Sequence, residues 1–221
     1  MKKFKVFAAI LSLVLFFFTG LAFSLTPKSG SYEWLEPQTF NKAITTKGGV
    51  VGTTIEDTYG VGAVGTSVAP QTSRRIEDGV IITTIKVDIT GLACKGDAAK
   101  DAIGLAAGGA AYIGRYVVAD YGIVYKVEMS CIELPGEGTA TITADIDLGA
   151  EDVGTTAYDG AVDDVVINTA SLVAGETAVQ NVPALTANDY FYLIEGDTAA
   201  TTGVYNAGQY VITFYGHPLL D

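Results

Sequence analysis

Gly122–Leu134, which reads GIVYKVEMSCIEL, is the stretch that decides the fold of this chain. Apolar and polar side chains alternate through its centre, and Pro135 and Gly136 interrupt the pattern. An alternation of period two places one set on each face of an extended segment, so the stretch predicts a β-strand with one apolar face. The predicted inward set is Ile123, Tyr125, Val127, Met129 and Cys131, and the predicted outward set is Lys126, Glu128 and Ser130.

Other short strands are predicted along residues 79–221, with Gly, Asp and Asn between them. This spacing is typical of an all-β fold, either a β-sandwich or a jelly roll. Residues 25–78 are rich in Gly and Thr, and they predict an extended arm that packs along the main domain or a neighbouring subunit. The predicted strands are 81–89, 111–119, 140–148, 165–167, 190–194 and 211–215, and a hairpin turn is predicted at 205–210. On the predicted strand 140–148, the side chains predicted to face outward are Thr141, Thr143, Asp145 and Asp147.

The first 24 residues have the layout of a secretory signal peptide. Three lysines begin the chain, an uncharged run extends from Val6 to Leu25, and Ala22 and Ser24 are small residues at a cleavage position. We expect cleavage after Ser24. The alternative is a retained membrane anchor, because about 20 apolar residues span a bilayer. Membrane contact is expected only through residues 1–24, and only if they are not removed.

Charge is distributed unevenly along the chain. Residues 25–126 hold ten Lys or Arg and ten Asp or Glu, whereas residues 127–221 hold fifteen Asp or Glu and no basic residue. Such an acidic surface repels phosphate backbones, so we expect no nucleic-acid partner.

Cys94 and Cys131 are the two cysteines of the chain. In an exported protein such a pair is compatible with one disulfide. Closing the loop between them would contribute about 3–4 kcal/mol on the chain-entropy model. The alternative is two buried thiols, which we expect if the chain matures in a cytoplasm.

No residue pattern typical of catalysis stands out. Gly60–Gly65 matches G-x-G-x-x-G, but nucleotide binding requires a strand before the motif and a helix after it, and Pro70 disfavours that helix. His217 is the single histidine, and there is no G-x-S-x-G sequence. The chain is therefore predicted not to be an enzyme, with no catalytic residue and no cofactor.

Several carboxylates in the last third of the chain are candidate ligands for calcium, which prefers clustered oxygen atoms. The EF-hand pattern fails, because Gly149 and Thr156 occupy positions where that loop needs acidic side chains. We therefore favour a solvated acidic face over a specific metal site. The carboxylates are Asp145, Asp147, Glu151, Asp152, Asp159, Asp163 and Asp164.

Two parts of the main domain resemble structural proteins encoded by tailed phages of aquatic origin. The first comprises Thr83–Leu92 with Ile103–Leu105, and the second comprises Ala187–Leu193 with the region from Gly203 to Gly216. The resemblance covers about residues 79–217. It implies a structural component of the virion, a capsid or head-decoration protein, and it assigns no functional residue.

Two functions follow as hypotheses. The first is a non-enzymatic structural protein of a virion, whose partners are copies of itself or other shell proteins. The second, which the export-type segment favours, is a secreted bacterial cell-surface module that binds glycan or calcium. The corresponding locations are the virion for the first hypothesis and the extracellular space or cell surface for the second.

Overall fold

In the computed structural model, 51% of the described residues are in β-strands and 5% in helices, so the prediction of an all-β fold is confirmed. The structure describes residues 45–46, 49–50, 58–66, 68–137, 142–181, 183, 185–196 and 202–219. The predicted export segment 1–24 and residues 25–44 of the predicted arm lie outside this described part. Ala43–Asp221 form one compact unit. Within the described ranges, no helix is long and apolar enough to cross a membrane.

The larger sheet is antiparallel and is built around one long strand, β12. A short pair, β1 (Thr45–Thr46) and β2 (Gly49–Val50), forms a separate hairpin. The larger sheet has the order β10-β7-β12-β4-β3, and β5 pairs with the start of β12. Its strands are β3 (Gln71–Glu77), β4 (Val80–Asp88), β5 (Ala93–Cys94), β7 (Ile123–Glu137), β10 (Thr177–Asn181) and β12 (Gly203–His217).

The smaller sheet is also antiparallel and has the order β6-β11-β8-β9. A 3₁₀ turn, Val61–Ala63, precedes the first sheet, and a single-turn helix, α1 (Val118–Tyr121), leads into β7. The strands of the smaller sheet are β6 (Gly114–Arg115), β8 (Ile146–Glu151), β9 (Asp164–Ile167) and β11 (Tyr190–Glu195).

The two sheets pack face to face on one hydrophobic core, which gives a β-sandwich-like architecture. Phe191 of the smaller sheet stacks on Phe214 of the larger sheet, with ring centroids 4.6 Å apart. Tyr121 of α1 makes an edge contact with Phe214 at 5.1 Å. Val127, Met129 and Cys131 of β7 are fully buried in this core, as the period-two pattern predicted. The prediction is wrong for the start of the strand, where Ile123 is 55% exposed and Tyr125 is only half-buried.

Part of the predicted arm belongs to the folded unit. The last strand of the range 25–78 is β3, which pairs with β4 through a two-residue turn at Asp78 and Gly79. Both turn residues have positive φ, as type I′ hairpin turns require. Further upstream, Ala63 is completely buried in the core. The predicted boundary at residue 79 therefore falls at the turn of a hairpin inside the sheet.

Three local predictions are corrected by the structure. Residues 111–119 are not one strand, because only β6 and the start of α1 are regular there. The predicted turn at 205–210 lies inside β12, where changes of register against β7 mark bulges rather than a chain reversal. The strand predicted at 140–148 begins only at Ile146, and Thr143, which precedes it, is buried. Asp147 is buried and not outward-facing, because β8 lies between β9 and β11 and is covered on both faces.

Candidate functional site

The outer face of the larger sheet, which is the face turned away from the smaller sheet, carries a groove of about 480 Å³. Cross-strand pairing places Lys86, Val211 and Ser130 side by side on this face. Ile132 on β7 is 53% exposed, and Val68, which precedes β3, is 45% exposed, so both present apolar surface to water. The groove is lined by Val68, Gln71, Lys86, Val87, Asp88, Ile132, Gln209, Tyr210 and Val211.

Beside the groove, three side chains of β7 and β12 form a linked polar group. Tyr215 donates a hydrogen bond to Glu128 at 2.7 Å, and Lys126 donates to the same carboxylate at 3.0 Å. The Lys126 ammonium also lies 3.7 Å from the centroid of the Tyr215 ring. Burial acts to raise the pKa of Glu128, but the bonds from Tyr215 and Lys126 outweigh it and lower that pKa. The Tyr215 pKa is raised to about 12 by burial and by its bond to Glu128.

A second candidate site, the acidic cluster, consists of Asp97, Asp101 and Asp159. One carboxylate oxygen from each residue lies within 4.8 Å of the other two. The Lys95 ammonium contacts Asp97 at 3.0 Å and Asp159 at 2.7 Å. These two hydrogen bonds, the one to Asp159 first, raise the pKa of Lys95. Lys95 and Asp97 are both exposed enough to meet solvent, so the cluster opens to the surface.

Asp101 forms the buried base of the acidic cluster. It is only 6% exposed, and its carboxyl group shares a side-chain hydrogen bond with Asp97. Burial raises the pKa of Asp101, and the negative charges of Asp159 and Asp97 raise it further. The backbone on both sides of it is held by hydrogen bonds, from Glu195 N–H to the Asp101 carbonyl at 3.0 Å and from Ala102 N–H to the Gly160 carbonyl at 2.8 Å.

Glu195, the last residue of β11, positions the loop that carries Lys95 and Asp97. Its carboxylate is 1% exposed and accepts hydrogen bonds from the backbone N–H groups of Lys95 and Gly96, both at 2.6 Å. Burial raises the pKa of Glu195, although these two bonds act in the opposite direction. A buried carboxylate that accepts two amide protons holds a loop in one conformation, so the acidic cluster is built on a fixed frame.

The acidic residues singled out in the sequence are not brought together as one group. Asp147 accepts a hydrogen bond from Thr169 N–H at 2.7 Å, and Asp145 accepts one from Ser171 N–H at 2.9 Å. Asp152, Asp163 and Asp164 are exposed. Only Asp159 belongs to the acidic cluster, whose other members the sequence did not indicate. The run Lys95-Gly96-Asp97 with Asp101 four residues later is a weak signal, which any charged loop can show.

Both cysteines are buried thiols in the structure, where the sequence suggested a disulfide. Cys94 pairs with Gly203 at the start of β12, whereas Cys131 pairs with Tyr210 in the middle of that strand. The two are therefore not cross-strand neighbours. Cys131 donates from Sγ to the Glu133 carbonyl at 3.4 Å, and burial raises its thiol pKa.

Thiol labelling tests this arrangement. We expect the native protein to react slowly or not at all, because both side chains have no exposed surface. After unfolding without reductant, two cysteines per chain should react. A chain that stays unlabelled after unfolding, and gains two labels only after reduction, would instead establish the disulfide that the sequence suggested.

The G-x-G-x-x-G motif serves chain packing. A Cβ added at Gly60 would lie 2.1 Å from the carbonyl oxygen of Ala110. A Cβ at Gly62 would lie 2.3 Å from that of Gly109, and a Cβ at Gly65 would lie 1.9 Å from that of Thr90. Nucleotide binding requires a strand that leads directly into the motif and a helix that begins in it. Residues 58–60 lead into the motif without regular structure, and the next regular element after the turn Val61–Ala63 is the strand β3. His217 is exposed and stacks on the Tyr125 ring at 4.6 Å.

No protein family, no curated protein and no solved structure matches this chain. The resemblance to phage virion proteins, drawn from short sequence segments, stays a prediction.

Proposed function

We propose that this chain is a non-enzymatic structural protein that assembles with copies of itself, as a capsid or head-decoration component of a virion. The observation that carries the proposal is the groove on the outer face of the larger sheet, with Ile132 and Val68 exposed at its edge. Exposed apolar side chains grouped on one face are typical of protein–protein contact sites. A contact centred on Ile132 would remove this apolar surface from water.

Charge supports a contact between copies. Three basic side chains, Arg75, Lys86 and Lys126, belong to the strands β3, β4 and β7 that form the outer face. The exposed residues Asp152, Asp163 and Asp164 lie on or beside the strands of the smaller sheet. Two of these basic side chains are paired on the same face, Arg75 with Glu77 at 3.3 Å and Lys126 with Glu128 at 3.0 Å. The outer face is therefore close to neutral, and it can pack on a second copy without the repulsion that two acidic faces would meet.

The proposal is tested by light scattering coupled to size-exclusion chromatography. The protein is residues 25–221, which contain the whole compact unit Ala43–Asp221. We expect an oligomer whose mass increases with concentration and persists at high salt. Ile132→Lys should shift it to a monomer, since a charge would then be buried at the centre of the contact. Val153→Lys is the matched control, because Val153 is also exposed (43%) but lies in the loop after β8.

Assembly through this groove is refuted if residues 25–221 are monomeric at every concentration, or if both lysine variants behave like the wild type. A monomer would favour the cell-surface hypothesis over the virion one. A glycan array would then be the next measurement.

A further inference from the structure

We propose that the groove on the outer face of the larger sheet receives a loop tip of a second copy, with Val61 of one copy seated in the groove of the other. The loop tip consists of residues 60–65, which are the G-x-G-x-x-G segment, and residues 105–110, which are hydrogen-bonded to them. This contact rests on the assembly proposed above, and it names the surface of the second copy that occupies the groove.

The loop tip presents apolar side chains to water. Val61 is 69% exposed, the highest fraction among the large apolar side chains of the described residues. Leu105 is 37% exposed, and Ala106 and Ala107 next to it are exposed as well. Exposed apolar groups collected at one place are typical of protein–protein contact sites. Burying them stabilises a contact by about 25 cal/mol per Å² of apolar surface removed from water.

Backbone hydrogen bonds fix the shape of the loop tip before any partner binds. The N–H of Gly62 donates to the Ala110 carbonyl at 2.7 Å, and the N–H of Leu105 donates to the Gly62 carbonyl at 2.7 Å. The N–H of Gly60 donates to the Tyr112 carbonyl at 2.8 Å. A preformed surface loses little conformational entropy on binding, so the loop tip can dock at a low ordering cost.

Charge favours the pairing of the loop tip with the groove. Residues 58–73 and 102–114, which contain the two loops, carry no charged side chain. The charged side chains that line the groove are Lys86 and Asp88, which balance each other. Residues 127–221 carry fifteen acidic and no basic side chains, so the acidic surfaces of two copies repel each other. The loop tip and the groove can meet without burying net charge.

The groove is large enough for several side chains of the loop tip. Its volume of about 480 Å³ falls within the range of about 300–1,000 Å³ that is usual for ligand pockets. Val68, Ile132 and Val211 give it an apolar lining that suits Val61 and Leu105. Because the loop tip and the groove are different surfaces, the contact is heterologous and can repeat from copy to copy.

The first test is light scattering coupled to size-exclusion chromatography on residues 25–221. We expect Val61→Lys to raise the concentration needed for half-maximal association at least tenfold, as Ile132→Lys should, because a charge would then enter an apolar contact. Val153→Lys is the matched control and should associate as the wild type does. Val61 is exposed, so its variant should keep the far-UV circular dichroism spectrum and the Tm of the Val153→Lys protein.

Cross-linking between variants tests which surfaces meet. Val61→Cys is mixed with Gln71→Cys, whose new thiol lies in the lining of the groove, and a short bismaleimide is added. The native cysteines are buried and should not react. We expect cross-linked dimers in the mixture and few in either variant alone. A mixture of Val153→Cys with Gln71→Cys is the control and should give few dimers.

The outcomes separate this contact from the assembly that it rests on. A wild-type protein that is monomeric at every concentration refutes both. An oligomer that Ile132→Lys disrupts and Val61→Lys leaves intact overturns only the contact with the loop tip, and so does a mixture without cross-linked dimers. If Val61→Lys leaves the oligomer intact but abolishes co-sedimentation with phosphatidylcholine vesicles, the loop tip binds a lipid surface and the contact is likewise overturned.

Discussion

Replacing Glu195 with alanine is expected to lower the free energy of unfolding by about 3 kcal/mol. The Glu195 carboxylate is buried and accepts the backbone N–H groups of Lys95 and Gly96. Alanine leaves two amide donors without a partner, at a cost of about 1–3 kcal/mol each when they are out of reach of water. Urea denaturation followed by circular dichroism measures the change.

Glu195→Gln is the matched control for this prediction. Glutamine has nearly the same size and keeps one carbonyl oxygen as acceptor, but its NH₂ group cannot accept the second amide proton. We expect a loss of about 1 kcal/mol, the usual net value of one hydrogen bond. Equal losses for alanine and glutamine would show that charge, and not the two amide contacts, is what stabilises the loop. No loss for alanine would mean that Glu195 does not hold the loop at all.

Replacing Gly65 with alanine is expected to cost about 3 kcal/mol, at the upper end of the range for overpacked positions. A Cβ at this position would lie 1.9 Å from the Thr90 carbonyl oxygen, so the two backbone segments must separate. The same carbonyl accepts the Thr66 N–H at 2.9 Å, and that hydrogen bond would be lost with the close approach. Thermal and urea unfolding measure the effect.

Gly79→Asn is the control for Gly65→Ala. Gly79 lies in the β3–β4 turn with positive φ, and no heavy atom lies within 4 Å of an added Cβ. Asparagine tolerates this conformation better than other residues with a side chain, so we expect a change below about 0.5 kcal/mol. An unchanged Tm for Gly65→Ala would contradict the packing role of the motif. A normally stable Gly65→Ala protein that had lost affinity for a nucleotide would restore the nucleotide-binding interpretation.

The central strands could be predicted because their period is visible locally. The stretch 122–134 predicted the strand that the structure shows as β7, and the run 190–194 predicted β11, which is buried on both faces. In both cases residues close in sequence supply the whole signal, either alternation or a continuous apolar run. The same reasoning was wrong for Asp147, because alternation alone cannot show that a second layer covers the outer face of β8.

The candidate sites depend on contacts between distant parts of the chain. Asp101 and Asp159 are close because residues 101–104 run between β11 and the segment 159–162, joined by backbone hydrogen bonds on both sides. Glu195 reaches Lys95 and Gly96 in the same region, although about a hundred residues separate them in the sequence. No local sequence pattern predicts this proximity, because each loop taken alone has the sequence of an ordinary solvated turn.

The sequence by itself determined the all-β class, the positions of the central strands and the segregation of acidic charge, because composition and period-two patterning act on each segment independently. The tertiary structure decided which carboxylates are buried, which glycines touch a carbonyl and where the groove opens. Those properties depend on how two sheets and their connecting loops pack, and packing brings together groups whose separation along the chain carries no information about their distance in space.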